Sequence, residues 1–433
     1  MGRDAKAIID DGTMHAAQWV AILVTVGLNA LDGFDVLSIS FASPGIARDW
    51  GIERATLGWL LSMELLGMSI GSVLLGGLSD KLGRRPTILG CLFAMSIGMF
   101  GAAQAAHVPE LLGWRLLTGL GIGGTLASIN AAAAEHSSRK WRNFAMSLMV
   151  IGYPLGGIVG GLVVQRILAV GTWPEIFRAG AWATAAFIPL VWALVPESVA
   201  FLDRRRPARA LDRINHTLRR LGHEAVDSLA PPRSGIEDHS VLDILKPGLL
   251  AVSLLVTFAY FAHIMSFYFI LKWVPKIIVD LGYAPRTAAG VLTWVNVGGA
   301  TGGALFGLVA TRVPLRQLTA FTLLGAFLMV AWFGQGAADL GGLTAKVAIA
   351  GFFTNAAIVG LYLLLARLYP PELRATGTGF AIGIGRGGAA IGPIAAGYLF
   401  QFGLGLAVVA PLMALGSLAS ALALFMLKAR EVD

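Results

Sequence analysis

Long apolar runs alternate with short polar gaps along almost the whole chain. Each run is close to or above the ~20 residues with which an α-helix crosses a bilayer. The twelve runs lie near residues 16–43, 55–79, 86–106, 109–134, 143–168, 176–196, 248–275, 287–311, 315–336, 342–368, 375–401 and 403–427. The pattern predicts an all-α membrane protein with twelve transmembrane helices, called spans one to twelve. An N-terminal six-helix half at 1–196 and a C-terminal half at 248–433 flank a polar central loop at 197–247.

The composition and the charge distribution fit a membrane-embedded chain. Of the 433 residues, 56% are hydrophobic and only 13% are charged, whereas soluble domains carry about 25% charged residues. Most of the 33 Lys and Arg residues fall in the central loop and in the loops after the other even-numbered spans. Because basic loops stay in the cytoplasm, both termini are predicted to be cytoplasmic, in a bacterial-type inner membrane. The excess of Lys and Arg over Asp and Glu thus reflects the orientation of the chain in the membrane, and no nucleic-acid partner is expected.

The central loop contains an amphipathic segment. Residues 209–220 read Arg-Ala-Leu-Asp-Arg-Ile-Asn-His-Thr-Leu-Arg-Arg, a sequence that can form a basic amphipathic helix. Two interpretations are open: a helix that lies on the inner leaflet of the membrane, or a solvated linker that only joins the two halves.

Two regions indicate that the halves are copies of one another. The loop that begins at Gly76 after span two has a counterpart that begins at Gly307 after span eight, 231 residues later. Near span five, Arg142 and Gly156 align with Arg374 and Gly388 near span eleven at almost the same offset. Duplicated halves of this kind place a binding site near the middle of the membrane and expose it alternately to the two sides.

Several motifs carry a resemblance to a known family. The loop after span two reads Gly76-x-Leu-Ser-Asp80-Lys-x-Gly83-Arg84-Arg85 and resembles the signature loop of the major facilitator superfamily. Five further stretches are similar to the aromatic acid:proton symporters of that superfamily: Asp32-Gly-Phe-Asp35, Arg115-x-x-Thr-Gly-x-Gly-x-Gly-Gly124, Gly152-x-Pro-x-Gly-Gly157, Pro196-Glu-Ser198 and Arg374-Ala-Thr-Gly377…Gly385-Arg-Gly387. Those symporters are permeases for benzoate-, 4-hydroxybenzoate- and protocatechuate-type acids. The resemblance covers nearly the whole chain.

The resemblance implies a major facilitator fold of two pseudo-symmetric six-helix halves that works as a monomer. It implies import of a small aromatic carboxylic acid with protons, so that H⁺ is the coupling ion and no cofactor is needed. It also implies a cytoplasmic latch made by Gly76, Asp80, Gly83, Arg84 and Arg85. In that latch Asp80 braces the N-terminal end of span eleven, whose helix dipole favours an anion. For Arg84 and Arg85 the alternative is that they are only positive-inside anchors.

Ionisable side chains inside the apolar runs are the candidates for proton coupling, because a charge at membrane depth is costly and by default functional. Asp32 lies about 21 Å into span one, near the midplane, and Asp35 lies on the same helix face. The repeat offset of 231 residues leads from Asp32 to His263 in span seven. Glu64, near the middle of span two, is a further candidate. The alternatives are structural pairing of the two aspartates and a hydrogen-bonded interior role for His263.

An organic anion needs a positive charge to meet its carboxylate, since burying that carboxylate alone is prohibitive. Arg386 in span eleven and Arg115 in span four are the candidates, and each could instead neutralise an intramembrane acid. Further candidate substrate contacts are Tyr153, Trp294 and Asn296, with packing as the alternative for the aromatic rings. Lys272, nearer the outer end of span seven, is expected to snorkel toward the membrane surface.

The motifs also bear on other classes of function. The chain has neither a glycine-rich phosphate loop with its lysine nor a Cys/His metal spacing, so we expect neither an enzyme nor a metal site. Two alternatives remain within transport, namely symport of a non-aromatic organic acid and proton-driven efflux. A receptor that binds the acid without moving it is disfavoured, because the central loop is too short and too charged for a signalling domain.

Overall fold

All regular secondary structure in the part of the chain that the structure describes is helical. A computed structural model describes residues 5–229, 244, 246–370 and 373–427, with the backbone alone for 247–248 and 374–376. The helices are α1 (Ala5–Asp11), α2 (Ala16–Trp50), α3 (Arg54–Leu82), α4 (Arg84–Gln104), α5 (Val108–Glu135), α6 (Arg142–Val170), α7 (Pro174–Leu194), α8 (Val199–Arg205), α9 (Ala210–Leu221), α10 (Pro247–Asp280), α11 (Pro285–Val309), α12 (Leu315–Gly334), α13 (Leu340–Leu368), α14 (Arg374–Gln401) and α15 (Leu406–Met426).

The helices α2–α7 and α10–α15 correspond one by one to the predicted spans, which confirms the all-α membrane fold. By length and hydropathy, 11 helices in the described part of the chain could cross a membrane. The remaining predicted span, 375–401, is the 28-residue α14, whose many glycines and Arg386 lower its mean hydropathy. The largest boundary difference is in α2, which continues through Pro44 to Trp50.

The chain divides into two compact units. The first comprises Met1–Val36, Gly67–Gly156 and Phe177–Ile236, and the second comprises Leu37–Leu66, Gly157–Ile176 and Glu237–Asp433. The second unit therefore joins the later part of α2 and the first part of α3 to the helices α10–α15. The division into sequence halves at 1–196 and 248–433 stays a prediction.

Within the first unit, α2 and α6 pack with their backbones almost in contact. A Cβ atom at Gly156 would overlap the carbonyl oxygen of Ala30, and one at Gly33 would overlap the carbonyl oxygen of Tyr153. Small residues allow this close approach of helices inside a membrane. The glycines of the motifs in spans one and five are thus explained by helix packing.

Alanine at Gly156 is expected to destabilise the protein by about 1–3 kcal/mol, because the added methyl group meets backbone that cannot move aside. Gly90 of α4 is the matched control, since a Cβ atom there would have no other atom within 4 Å. Gly90→Ala should leave stability unchanged or raise it slightly, because alanine favours the helix. Reaction of the single buried thiol, Cys91, with a fluorogenic reagent during heating measures both unfolding temperatures. Equal temperatures for the two variants would contradict the close packing.

The short helices α1, α8 and α9 form an apolar cluster within the first unit. Its buried members are Ala5, Ile9, Val199, Phe201, Leu202, Ile214, Leu218, Leu221 and Val226. The amphipathic helix predicted at 209–220 is confirmed as α9, Ala210–Leu221. Its apolar face packs against α1 and α8, so the interpretation that it lies on the inner leaflet is wrong. The segment is also more than a solvated linker, because it contributes to a buried cluster.

Candidate functional site

The two aspartates of span one are buried within α2. Asp32 is 1% exposed and Asp35 is fully buried. Arg115 of α5 is also fully buried, and its Nη2 donates to the backbone oxygen of Asp35 at 3.0 Å. Its Nη1 contacts the sulfur of Met99 at 3.0 Å, and its guanidinium group lies 5.3 Å from the ring centre of Phe177. The structure thus brings a predicted proton-coupling acid and a predicted substrate-binding arginine together in one unit.

The carboxylate of Asp35 lies against the backbone of α7. A Cβ atom at Gly180 would be 2.3 Å from Cε of Met99, 2.9 Å from the ring of Phe34 and 3.3 Å from Oδ1 of Asp35. The glycine therefore leaves room for all three side chains. A buried charged carboxylate is costly unless it is paired, and protonation removes that cost. The role of this carboxyl group in proton coupling stays a prediction.

Tyr153, a predicted substrate contact, lies on α6 beside the aspartates. It is half-buried, and its carbonyl oxygen is the atom against which Gly33 packs. Because Gly33 stands between Asp32 and Asp35 in the sequence, Tyr153 is positioned at the level of both acids. Its contact with a substrate stays a prediction.

The candidates His263, Asn296 and Trp294 belong to the second unit. His263 of α10 is fully buried, with Nδ1 at 2.9 Å from Oγ of Ser417 and Nε2 at 2.9 Å from the backbone oxygen of Thr354. Both ring nitrogens have hydrogen-bond partners. This agrees with the alternative that His263 is an interior histidine with a structural role. On α11, Asn296 is buried and Trp294 is 54% exposed. No contact in the described residues assigns a transport role to these three side chains, which stay predictions.

Arg386 of α14 is half-buried and lies next to a pair of tyrosines. A Cβ atom at the preceding residue, Gly385, would overlap the ring of Tyr260. The hydroxyl groups of Tyr260 and Tyr362 are 3.0 Å apart. A guanidinium group beside phenol rings offers both a charge for a carboxylate and apolar surface for a ring. Arg386 therefore keeps its place among the candidate substrate contacts.

One buried ion pair is not among the sequence predictions. Nζ of Lys272 on α10 is 3.5 Å from Oε2 of Glu64 on α3, and both side chains are fully buried. The expectation that Lys272 snorkels is wrong, because its amine meets a buried carboxylate and does not reach the membrane surface. The signal in the sequence was the position of the lysine between Leu271 and Trp273, since a charge within an apolar run needs a partner.

At the predicted cytoplasmic side, Arg84 is the centre of an ion-pair network in the first unit. Its guanidinium group binds Glu135 through two hydrogen bonds, Nε to Oε2 at 3.2 Å and Nη2 to Oε1 at 3.0 Å. Its Nη1 donates to Oδ1 of Asp80 at 2.6 Å, and the same oxygen accepts from Arg204 at 3.1 Å. Asp80 and Arg84, two of the predicted latch residues, are thus in contact, with two partners that the sequence did not indicate.

The turn before α4 depends on Gly83 and Glu197. Gly83 has a φ of +115°, and a Cβ atom there would overlap the Glu197 carboxylate, so glycine is required. Oε1 of Glu197 accepts from the backbone N–H of Arg84 at 2.9 Å, and burial raises the pKa of this carboxyl group. Arg85 donates to the backbone oxygen of Trp192 at 2.5 Å. The Pro196-Glu-Ser198 stretch therefore anchors the start of α4.

Two further parts of the predicted latch lie apart from this network. Gly76 is on α3, where a Cβ atom would be 3.4 Å from the Cβ atom of Ala127. The predicted brace between Asp80 and the start of span eleven involves side chains at 371–372 and 374–376, which lie outside the described residues. The latch as a whole stays a prediction.

Comparisons with known proteins agree with a membrane bundle that contains buried charges. The profile of the Major Facilitator Superfamily matches residues 25–344. A gallate transporter of Pseudomonas putida is 30% identical over 97% of this chain and 94% of its own length. A 4-hydroxybenzoate transporter of the same organism is 29% identical over 90% of this chain and 88% of its own. The crystal structure of a D-xylose-proton symporter has a TM-score of 0.73 at 19% identity, covering 95% of this chain and 97% of that one. These matches confirm the resemblance indicated by the motifs: the chain belongs to the major facilitator superfamily and is a membrane transporter, not an enzyme.

Proposed function

We propose that the chain imports an aromatic carboxylic acid across a bacterial-type inner membrane with protons. Relatives that match nearly the whole chain are named as transporters of gallate, of 4-hydroxybenzoate and, in Escherichia coli, of 3-(3-hydroxy-phenyl)propionate. All three compounds are hydroxylated aromatic acids. The observation that carries the proton coupling is the burial of Asp32 and Asp35 inside a membrane helix, because a carboxyl group there is stable only when it is paired or protonated.

In the proposed cycle a proton reaches Asp32 or Asp35 from the outer side and weakens the hold of the acid on an arginine. For Asp35 the neighbouring arginine is Arg115, which donates to the backbone oxygen of that residue. An arginine released in this way, Arg115 or Arg386, binds the substrate carboxylate. The neutralised charges then allow the loaded carrier to change conformation, and loss of the proton to the less acidic cytoplasm releases the substrate.

The proposed cycle uses the two sequence halves as its moving parts. The halves 1–196 and 248–433 rock against each other, so that the binding site opens to one side at a time. Since one chain contains both halves, a monomer is sufficient for this cycle. The basic loops support a topology with both termini in the cytoplasm.

Uptake into proteoliposomes tests the proposed function. Labelled 4-hydroxybenzoate, protocatechuate, benzoate and succinate are offered with and without an inward proton gradient. We expect an aromatic acid to accumulate only with the gradient. A difference of about two pH units supplies about 2.7 kcal/mol per proton, which limits accumulation to about 100-fold for one proton per acid.

Two outcomes would overturn this function and leave the fold unchanged. Accumulation of succinate alone would indicate symport of a non-aromatic acid. Expulsion of a preloaded aromatic acid driven by the same gradient would indicate efflux.

A further inference from the structure

The Glu64–Lys272 pair combines deep burial with loose geometry. Both side chains are fully buried, and yet nitrogen and oxygen are 3.5 Å apart. A well-formed hydrogen bond between an ammonium group and a carboxylate measures about 2.7–2.9 Å. Removing two charges from water costs several kcal/mol per ion, which only close geometry and further hydrogen bonds offset. In a buried pair at this distance, another charged group can therefore take the place of one of the two side chains.

Lys272 shares a face of α10 with one tyrosine ring. Tyr268 precedes it by one helical turn, about 6 Å along the axis. Tyr268 is half-buried. An amine and a phenol ring on one helix face match the two chemical parts of an aromatic carboxylate, its charge and its ring.

Several other charged side chains of the second unit lie toward its predicted outer end or are less buried. Toward the predicted outer end, Lys276 pairs with Asp280 on α10, and Arg54 of α3 pairs with Asp280 at 3.3 Å. Arg386 on α14 lies beside the tyrosine pair and is only half-buried. The described part of α15 carries no charged residue. Among the described residues, Lys272 is the one fully buried cation of the second unit.

We propose that Lys272 binds the carboxylate of the substrate, and that Glu64 is its counter-ion while no substrate is bound. This assignment rests on the import function proposed above and gives the carboxylate a different anchor from Arg115 or Arg386. When the substrate carboxylate takes the place of Glu64, a charged Glu64 would lose its buried cation. Glu64 therefore takes up a proton from the outer side.

The exchange conserves charge at the site. Before binding, Glu64 and Lys272 sum to zero; after binding, Lys272 and the substrate anion sum to zero and Glu64 is neutral. Two other titratable side chains are buried on α10. His263 has both ring nitrogens in hydrogen bonds, and the hydroxyl group of Tyr260 contacts that of Tyr362. The exchange at the pair therefore couples the binding of one carboxylate to the uptake of one proton.

The first test compares acids with an uncharged analogue. Binding of 4-hydroxybenzoate, protocatechuate, benzoate and 4-hydroxybenzamide to the purified full chain is measured by tryptophan fluorescence. Wild type should prefer an acid to the amide. In Lys272→Gln the affinity for that acid should fall by about 100-fold, the scale of losing one partner of a buried charge pair, with little change for the amide. Lys276→Gln, one turn along α10 and also taken from an ion pair, is the matched control and should keep the preference.

The outcomes separate the two proposals. A wild type that binds none of these acids overturns the import function and this assignment with it. A wild type that prefers an acid, together with a Lys272→Gln variant that keeps the same preference, overturns the assignment of Lys272 alone. In that case Arg115 and Arg386 remain as the anchors to examine.

The second test concerns Glu64. In weakly buffered solution, wild type should take up one proton for each acid bound, whereas Glu64→Gln should bind the acid at least as tightly and take up none. If Lys272→Gln fails to fold, the double variant E64Q/K272M removes both charges of the pair and keeps the question testable. A folded E64Q/K272M variant that still prefers the acid, or a Glu64→Gln variant with undiminished proton uptake, would show that the pair is only structural.

Discussion

Replacing Asp35 with asparagine is expected to abolish proton-driven accumulation of the substrate. The amide matches the carboxylate in size, so packing against Gly180 is kept, as is the bond from Arg115 to the backbone oxygen of residue 35. The amide cannot bind or release a proton. Accumulation driven by a gradient of about two pH units should therefore fall from at most about 100-fold to simple equilibration. Uptake by proteoliposomes with and without the gradient measures this change, and Asp32→Asn is expected to have the same effect.

Exchange experiments distinguish a loss of coupling from a loss of folding. Without a gradient, both variants should still exchange external labelled acid for internal unlabelled acid, because no group that binds the carboxylate has been removed. Ser40→Ala is the matched control, since Ser40 is a fully buried polar residue of the same helix that does not titrate in this range. Wild-type accumulation in both aspartate variants would refute the proposed role of these acids.

The membrane fold could be predicted from the sequence because lipid imposes a simple rule. Every backbone polar group in the membrane must be satisfied within its own helix, so each span is a continuous apolar run of about 20 residues. The ends of the helices follow no such rule. Span one continues beyond its predicted end because Pro44 is accommodated inside α2. The short helices α1 and α8, with 7 residues each, leave no periodic signal and are visible only through the cluster that they form with α9.

The candidate site could be predicted only in part, for a physical reason. A charge within an apolar run is conspicuous, which is how Asp32, Asp35 and Glu64 were identified. The partner of such a charge is chosen by three-dimensional packing, and one sequence carries no trace of that choice. Lys272 is accordingly predicted to reach the membrane surface, although it pairs with Glu64, which lies far from it in the sequence. The partner of Arg84 on α5, Glu135, was missed for the same reason.

Alanine at Arg84 is expected to destabilise the folded protein by about 3–5 kcal/mol, as when one partner of a buried ion pair is removed. Its side chain is 7% exposed, and that of Glu135 is 21% exposed, whereas that of Asp80 is 55% exposed. Most of the effect should therefore come from Glu135, because exposed ion pairs contribute at most about 1 kcal/mol. Arg84→Lys should lie between wild type and alanine, since an ammonium group keeps the charge but cannot form the two-bonded contact. Thiol reactivity of Cys91 during heating measures the unfolding temperature of each variant.

The neighbouring Arg85 provides the control for this network. It donates to a single backbone oxygen, that of Trp192, so Arg85→Ala should cost about 1 kcal/mol. Adding Glu135→Gln to Arg84→Ala should restore part of the lost stability, because the second substitution removes the carboxylate charge that the first left without its arginine. If Arg84→Ala and Arg85→Ala lower the unfolding temperature equally, and Glu135→Gln restores nothing, both arginines act only as positive-inside anchors. The ion-pair network would then have no part in holding α3, α4 and α5 together.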